Sequence, residues 1–173
     1  MSRFGCWWIL AVSCLLFPVT ALAQTPVPDS TTTCNFDANT QLAVEYRRMD
    51  VPSGKDVLGR SIPYGKAWAP GGKPLTLFTN TPISVGGTQI PDGAYTMFVI
   101  PEEKFWTLVI SRSTDTSGKY DEAQDLARIR MDYGRLPQAE PEFTAYFAHV
   151  APTQCNLRLD LEKARAWVVF NQK

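Results

Sequence analysis

The sequence predicts an all-β fold, an antiparallel β-sandwich or partly open barrel of about eight to nine short strands. Three observations predict it. Apolar residues come in short runs, several of them alternating with polar ones at period two. Turn residues interrupt these runs at intervals of roughly eight to twelve residues. No long stretch carries the 3.6-residue periodicity of an amphipathic helix.

Taken in order, LAVEYRR (42–48) sets Leu42, Val44 and Tyr46 on one face. LTLFT (75–79) and PISV (82–85) follow, split by Asn80-Thr81, and Gly86-Gly87 parts PISV from TQI. Pro91-Asp92-Gly93 introduces AYTMFVI (94–100), and Pro101-Glu102-Glu103-Lys104 joins it to FWTLVISRS (105–113). That pair predicts a β-hairpin with a four-residue connection. Beyond the polar loop STDTSGKYDEAQ come LARIRMDY (126–133), FTAYFAHV (143–150), CNLRLDL (155–161) and ARAWVVF (164–170). In CNLRLDL the leucines 157, 159 and 161 face one way, and Asn156, Arg158 and Asp160 the other. Only YDEAQDLARIRM offers a helical alternative, and it is short.

The N-terminus reads as an export signal. Arg3 is the sole charge before an apolar run from Cys6 to Phe17, and the triplet Ala21-Leu22-Ala23 precedes Gln24. A positive head, a brief apolar stretch and a small-x-small site describe a secretory signal peptide over 1–23. The run falls short of the roughly 20 residues that span a bilayer. A lipoprotein cut before Cys14 fits less well, because it leaves a long apolar tail. Residues 24–40 are expected to form a flexible leader, since QTPVPDSTTT is polar and aperiodic. A single β-sandwich domain is expected over 41–173, with no membrane span in the mature chain.

Cleavage after Ala23 would leave 16 basic against 17 acidic residues. Such a balance supplies no basic face, so nucleic acid is not expected as a partner. It would also leave two cysteines, Cys34 and Cys155. Two cysteines in an exported chain predict one disulfide, closing a loop of about 120 residues, worth roughly 4–5 kcal/mol in the chain-entropy model. With no C-x-x-C spacing and a single histidine, no metal site and no cofactor are expected.

The segment IPYGKAWAPGGKPLT (62–76) is the nearest approach to a phosphate loop. Aligned on Gly72-Lys73, it has Ala67 where the first glycine belongs and Pro74 where Ser or Thr must hold Mg²⁺. Proline also removes a backbone donor from the cradle. The segment therefore reads as a chain corner, with Tyr64 and Trp68 packing nearby.

That corner also carries a resemblance. Pro63-Tyr64-Gly65-Lys66-Ala67-Trp68 is followed by ISVGGTQIPDGAYTMFVIP, FWTLVIS and YDEAQDLARIRM. These four elements, in this order over roughly residues 42–170, resemble a family of exported bacterial proteins known only as domain of unknown function twenty-nine-eleven. The resemblance implies a compact β-sandwich of the cell envelope with no assigned reaction. The family's Arg-Thr-Gly-Ala-Asn-Glu after the tryptophan is replaced here by Ala69-Pro70-Gly71-Gly72-Lys73-Pro74. Its Trp-Gly pair before Tyr-Asp-Glu is also missing; Thr116-Ser117-Gly118-Lys119 stands near that place. A polar site shared by the family would be lost or altered in this chain.

His149 is the only histidine, at the end of an apolar run, so any Ser-His-Asp arrangement would have to use it. Surface placement is the better expectation, and no catalytic residue is assigned. Glu102 and Glu103 belong to a turn, where acids are simply solvated. Asp121, Glu122 and Asp125 suit turn or capping roles, with Arg128 or Arg130 as partners. Of the aromatics Trp68, Trp106, Trp167, Tyr64, Tyr95, Tyr133 and Tyr146, Tyr64 and Trp68 lie in the turn-rich corner. The candidate ligand-binding residues are therefore Tyr64, Lys66, Trp68, Asp121 and Asp125. A non-catalytic binding or accessory module is preferred, its partner a small molecule, glycan or protein. The alternatives are an enzyme with a polar cleft near Lys66, Asp121 and Asp125, a structural subunit, or a carbohydrate-binding module.

Overall fold

The computed structural model describes residues 29–52 and 56–173; the signal peptide expected over 1–23 lies outside the described residues. The fold is all-β and antiparallel, a sandwich that does not close into a barrel. Ten strands run β1 (Asp29–Asn35), β2 (Gln41–Arg47), β3 (Met49–Asp50), β4 (Leu75–Thr79), β5 (Ile83–Val85), β6 (Thr88–Ile90), β7 (Gly93–Pro101), β8 (Trp106–Ser111), β9 (Asp125–Ala151) and β10 (Gln154–Gln172). They form one path, β1-β2-β4-β7-β8-β9-β10-β5-β6, with β3 paired to β9.

Two features depart from the sequence expectation, and a third settles its one open alternative. Strand β1 occupies Asp29–Asn35, inside the segment assigned to a flexible leader. Its sequence DSTTTCN is polar on the exposed face and buries only Cys34, so hydrophobic alternation could not show it; β-branched threonine suits an extended chain. Second, LARIRMDY and FTAYFAHV are two parts of one bent strand of 27 residues, β9. CNLRLDL and ARAWVVF are likewise parts of one strand of 19 residues, β10. Third, the helical alternative over YDEAQDLARIRM reduces to one 3-10 turn, Glu122–Gln124, ahead of β9.

Strand faces follow the alternation. Leu42, Val44 and Tyr46 point into the core from β2, and Leu75 and Leu77 from β4. The four-residue connection 102–105 links the paired Pro101 and Trp106 of β7 and β8. Here apolar runs replace alternation because both faces are covered. Met97, Val99, Leu108 and Ile110 join the main core. Phe98 and Val109 are buried on the opposite face, with the Tyr120 ring 5.1 Å from that of Phe98. The loop ahead of β9 holds that cover through Thr96 Oγ1, which donates to Ser113 O at 2.8 Å.

Gly86-Gly87 forms the two-residue turn between paired Val85 and Thr88. Gly86 has φ 54°, and a Cβ there would lie 2.6 Å from Ile129 Cγ2, so both the turn and the close approach require glycine. The corner segment of 62–76 continues the lane of β4 along β7: Trp68 and Val99 exchange backbone bonds of 2.8 and 3.0 Å.

The sheet curls until β1 meets β9. The Phe147 N–H of β9 donates to Thr32 Oγ1 at 2.9 Å, and the Tyr46 and Phe143 rings meet edge-on at 6.0 Å. The predicted disulfide joins this seam: Cys34 and Cys155 are bonded, with Cα atoms 6.3 Å apart across a sequence separation of 121. Among the described residues, no helix is long and apolar enough to cross a membrane.

Candidate functional site

The site begins with a failure of register. Between Ala164↔Arg135 and Glu162↔Glu140, β9 advances five residues while β10 advances two. From Glu162↔Glu140 to Asp160↔Thr144, β9 advances four against two. Surplus residues on one strand must bulge, and bulges bend the sheet. At the centre of the bend Glu162 has φ 54°, the only positive φ on a non-glycine residue among those described. Such a conformation costs a residue with a Cβ about 1–2 kcal/mol and is tolerated where the surroundings over-determine it.

Here the surroundings include the 56–64 segment. The Val57 N–H donates to the Glu162 carboxylate, and the Val57 carbonyl accepts from Ile62 N at 2.9 Å and Arg60 N at 3.2 Å. This tight turn is thereby held on β10. Tyr64 lies over it: a Cβ on Gly59 would meet Tyr64 Cε2 at 2.6 Å, and Gly59 has φ 74°. The β7–β8 turn completes the rim with Glu103 and Lys104.

Together these segments enclose a groove of about 830 Å³. Its charged lining is balanced, with Arg60, Lys104, Arg135 and Lys163 against Asp56, Glu103, Glu140 and Glu162. None of these eight takes part in an ion pair within 4.0 Å among the described residues; the pairs lie elsewhere, as in Arg165–Asp160 at 2.6 Å. Glu140 and Glu162 stand directly opposite across the ladder, a like-charge arrangement that weakens a sheet. Tyr64 and Tyr133 supply the phenols. Burial pushes the Tyr64 hydroxyl above its ordinary pKa, and the nearby Glu103 carboxylate adds to the rise. The hydroxyl therefore stays protonated as a donor at neutral pH. Among the described residues no group of three or more His, Cys, Asp or Glu could hold a metal ion.

Of the sequence candidates only Tyr64 lines the groove. Trp68 is half-buried and packs edge-on against Phe143 with ring centroids 5.4 Å apart. Lys66 is exposed. Asp121 caps the 3-10 turn by accepting from Ala123 N at 3.0 Å. Asp125 Oδ2 accepts from Arg128 Nε at 2.6 Å and from the Tyr120 hydroxyl at 2.7 Å, while its Oδ1 is buried without a partner. Burial first, and then Asp125, push the Tyr120 hydroxyl up to about 12. This trio sits beside the outer cover of β7–β8. His149 is exposed at the end of β9.

Sequence reading missed Glu162, Glu140, Arg135 and Arg60. Glu162 looks like an ordinary charged residue between two apolar runs, and only the register jump shows its role. Glu103, read as merely solvated in its turn, is a rim residue. Pro137 and Pro141 were the available signal: two prolines inside an otherwise strand-like stretch mark a place where ladder bonds are missing.

The family model described as Protein of unknown function (DUF2911) matches residues 27–170. The chain belongs to that family, as its four ordered elements suggested. No curated protein and no solved structure matches it.

Proposed function

We propose that this DUF2911 member is an exported, non-catalytic binding module whose ligand enters the groove over the β9–β10 bend. One observation carries the reading: four cations and four anions line a single groove without forming an ion pair among the described residues. An exposed pair among them would gain only about 0–1 kcal/mol, so a ligand that bears both charges meets little competition from pairing within the lining. Separated charges of both signs, with two phenols, suit a polar ligand that bears both charges itself. The groove volume falls within the range of small-molecule sites, roughly 300–1,000 Å³. Export is supported by the N-terminal pattern and by a disulfide, which is rare in cytosolic proteins.

A thermal-shift series with free amino acids, dipeptides, amino sugars, neutral sugars and simple salts tests this. Compounds bearing both charges are expected to raise the melting temperature by mass action. The increase should shrink in the Tyr64→Ala, Glu103→Ala double variant and with rising salt. If no compound in the series, up to millimolar concentration, moves the transition, the reading falls.

A further inference from the structure

We propose that the natural occupant of this groove is an extended peptide segment of mixed charge, which adds to β9 as a further strand along Leu136–Ala139. The proposal rests on the groove being a binding site and goes on to name the ligand class.

The register supplies the first observation. Residues 136–139 have no partner across the β9–β10 ladder among the described residues, yet they remain extended within β9. Leu136 is half-buried, and Pro137, Gln138 and Ala139 are exposed. An unpaired extended run presents N–H and C=O groups that a second chain can use, and main-chain pairing of this kind is a recurring mode of peptide capture. Period two places Leu136 and Gln138 on the same edge and Pro137 on the other, so the missing proline donor leaves the first edge intact.

Charge supplies the second. The unpaired run borders the groove through Ala139; Arg135, the last paired residue before the run, lines it too, together with Glu103, Lys104, Arg60 and Lys163. These come from separate stretches of chain, spread over a volume of about 830 Å³. A neutral sugar would leave charges of both signs unanswered. A single amino acid answers only one of each. A strand of four residues spans about 13 Å and offers alternate side chains to the same wall, so one peptide can meet several of these charges.

The experiment is an array of acetylated, amidated hexapeptides carrying every placement of one basic and one acidic residue among alanines and threonines. It is read with the purified protein by fluorescence polarisation and confirmed by calorimetry. The expected result is binding of a subset at micromolar to submillimolar levels. Methylating the central backbone nitrogens of a bound peptide should weaken it at least tenfold. All-basic and all-acidic peptides should bind at least fivefold more weakly. Glu103→Lys with Lys104→Glu, two exposed turn residues, should shift which charge order is preferred while leaving the melting temperature unchanged. If only free amino acids or other small ions bind, the groove remains a site and the peptide proposal is overturned. If peptides bind but tolerate backbone methylation, strand addition is overturned. Silence from peptides and small molecules alike would remove the groove as a site altogether.

Discussion

Two hairpins of this sheet can be set side by side. In β7–β8 six pairs run from Thr96↔Ser111 to Pro101↔Trp106 with no register shift, and Phe98, Val99, Trp106, Leu108, Val109 and Ile110 are almost wholly buried. In β9–β10 the register shifts at three places, one residue adopts a left-handed conformation, and a charged groove opens. Both use the same ladder. The difference is that most β7–β8 side chains are buried against one layer or the other, whereas the β9 surplus of 136–139 is exposed apart from the half-buried Leu136. Regular pairing makes a wall; surplus residues make an opening, at a cost borne by the rest of the domain.

The comparison can be broken at several points. The largest effect should come from removing the bridge that braces the irregular hairpin. Cys34→Ala with Cys155→Ala is expected to cost up to about 4–5 kcal/mol, read from the denaturant midpoint, with amide exchange rising first in β1 and at the start of β10. Equal loosening of β7–β8 and β9–β10 would show that the two hairpins are braced alike. Next, Trp106→Ala in the regular hairpin should cost about 3–5 kcal/mol, while Leu136→Ala in the bulge should cost less than about 1 kcal/mol. Comparable losses would mean that the bulge is as tightly packed as the wall.

A smaller and sharper test uses one pair of substitutions in both hairpins. At Thr107, in β8, glycine should be less stable than alanine by about 0.5–1 kcal/mol. At Glu162 the order should reverse by about 1 kcal/mol, since glycine alone relieves the left-handed strain. The same order at both sites would refute the strain. The smallest effect lies beside the outer cover. Tyr120 is pushed from 10.0 up to about 12, so the stability it contributes is complete below pH 10 and is lost as pH rises through about 12. Tyr120→Phe should flatten the alkaline fall in melting temperature, and the variant's ultraviolet titration should lack the last-ionising phenol of the wild type.

What could be read from the sequence divides along the same line. β2, β4, β7 and β8 were legible because each carries its own burial pattern: leucine, valine or isoleucine recurs on one face, or fills both. The pairing of Cys34 with Cys155 followed from counting. β1 was hidden because threonine declares extended chain without declaring a face. The continuity of β9 and β10 was hidden for a different reason. Register is a relation between strands, and neither Arg135 nor Glu162 says anything alone about the residue opposite. Tyr64 was found as an aromatic in a turn, and Trp68, equally conspicuous, turned out to be packing against Phe143. Asp121 and Asp125 drew attention through a motif and serve as a cap and as part of a hydrogen-bonded trio. The groove itself is made by strand pairing, which local periodicity does not encode.

One detail of the seam has a consequence for the life of the protein. A threonine hydroxyl, Thr32 Oγ1, stands there where a backbone carbonyl would complete another rung, and the cystine behind it is shut in, with Cys34 5% and Cys155 0% exposed. Small reductants can reach those sulfurs only while the first strand is lifted off. Resistance to glutathione or dithiothreitol is therefore set by how often that flap opens, and a Thr32→Val substitution, which frees the flap without touching either sulfur, should hasten reduction of the intact molecule.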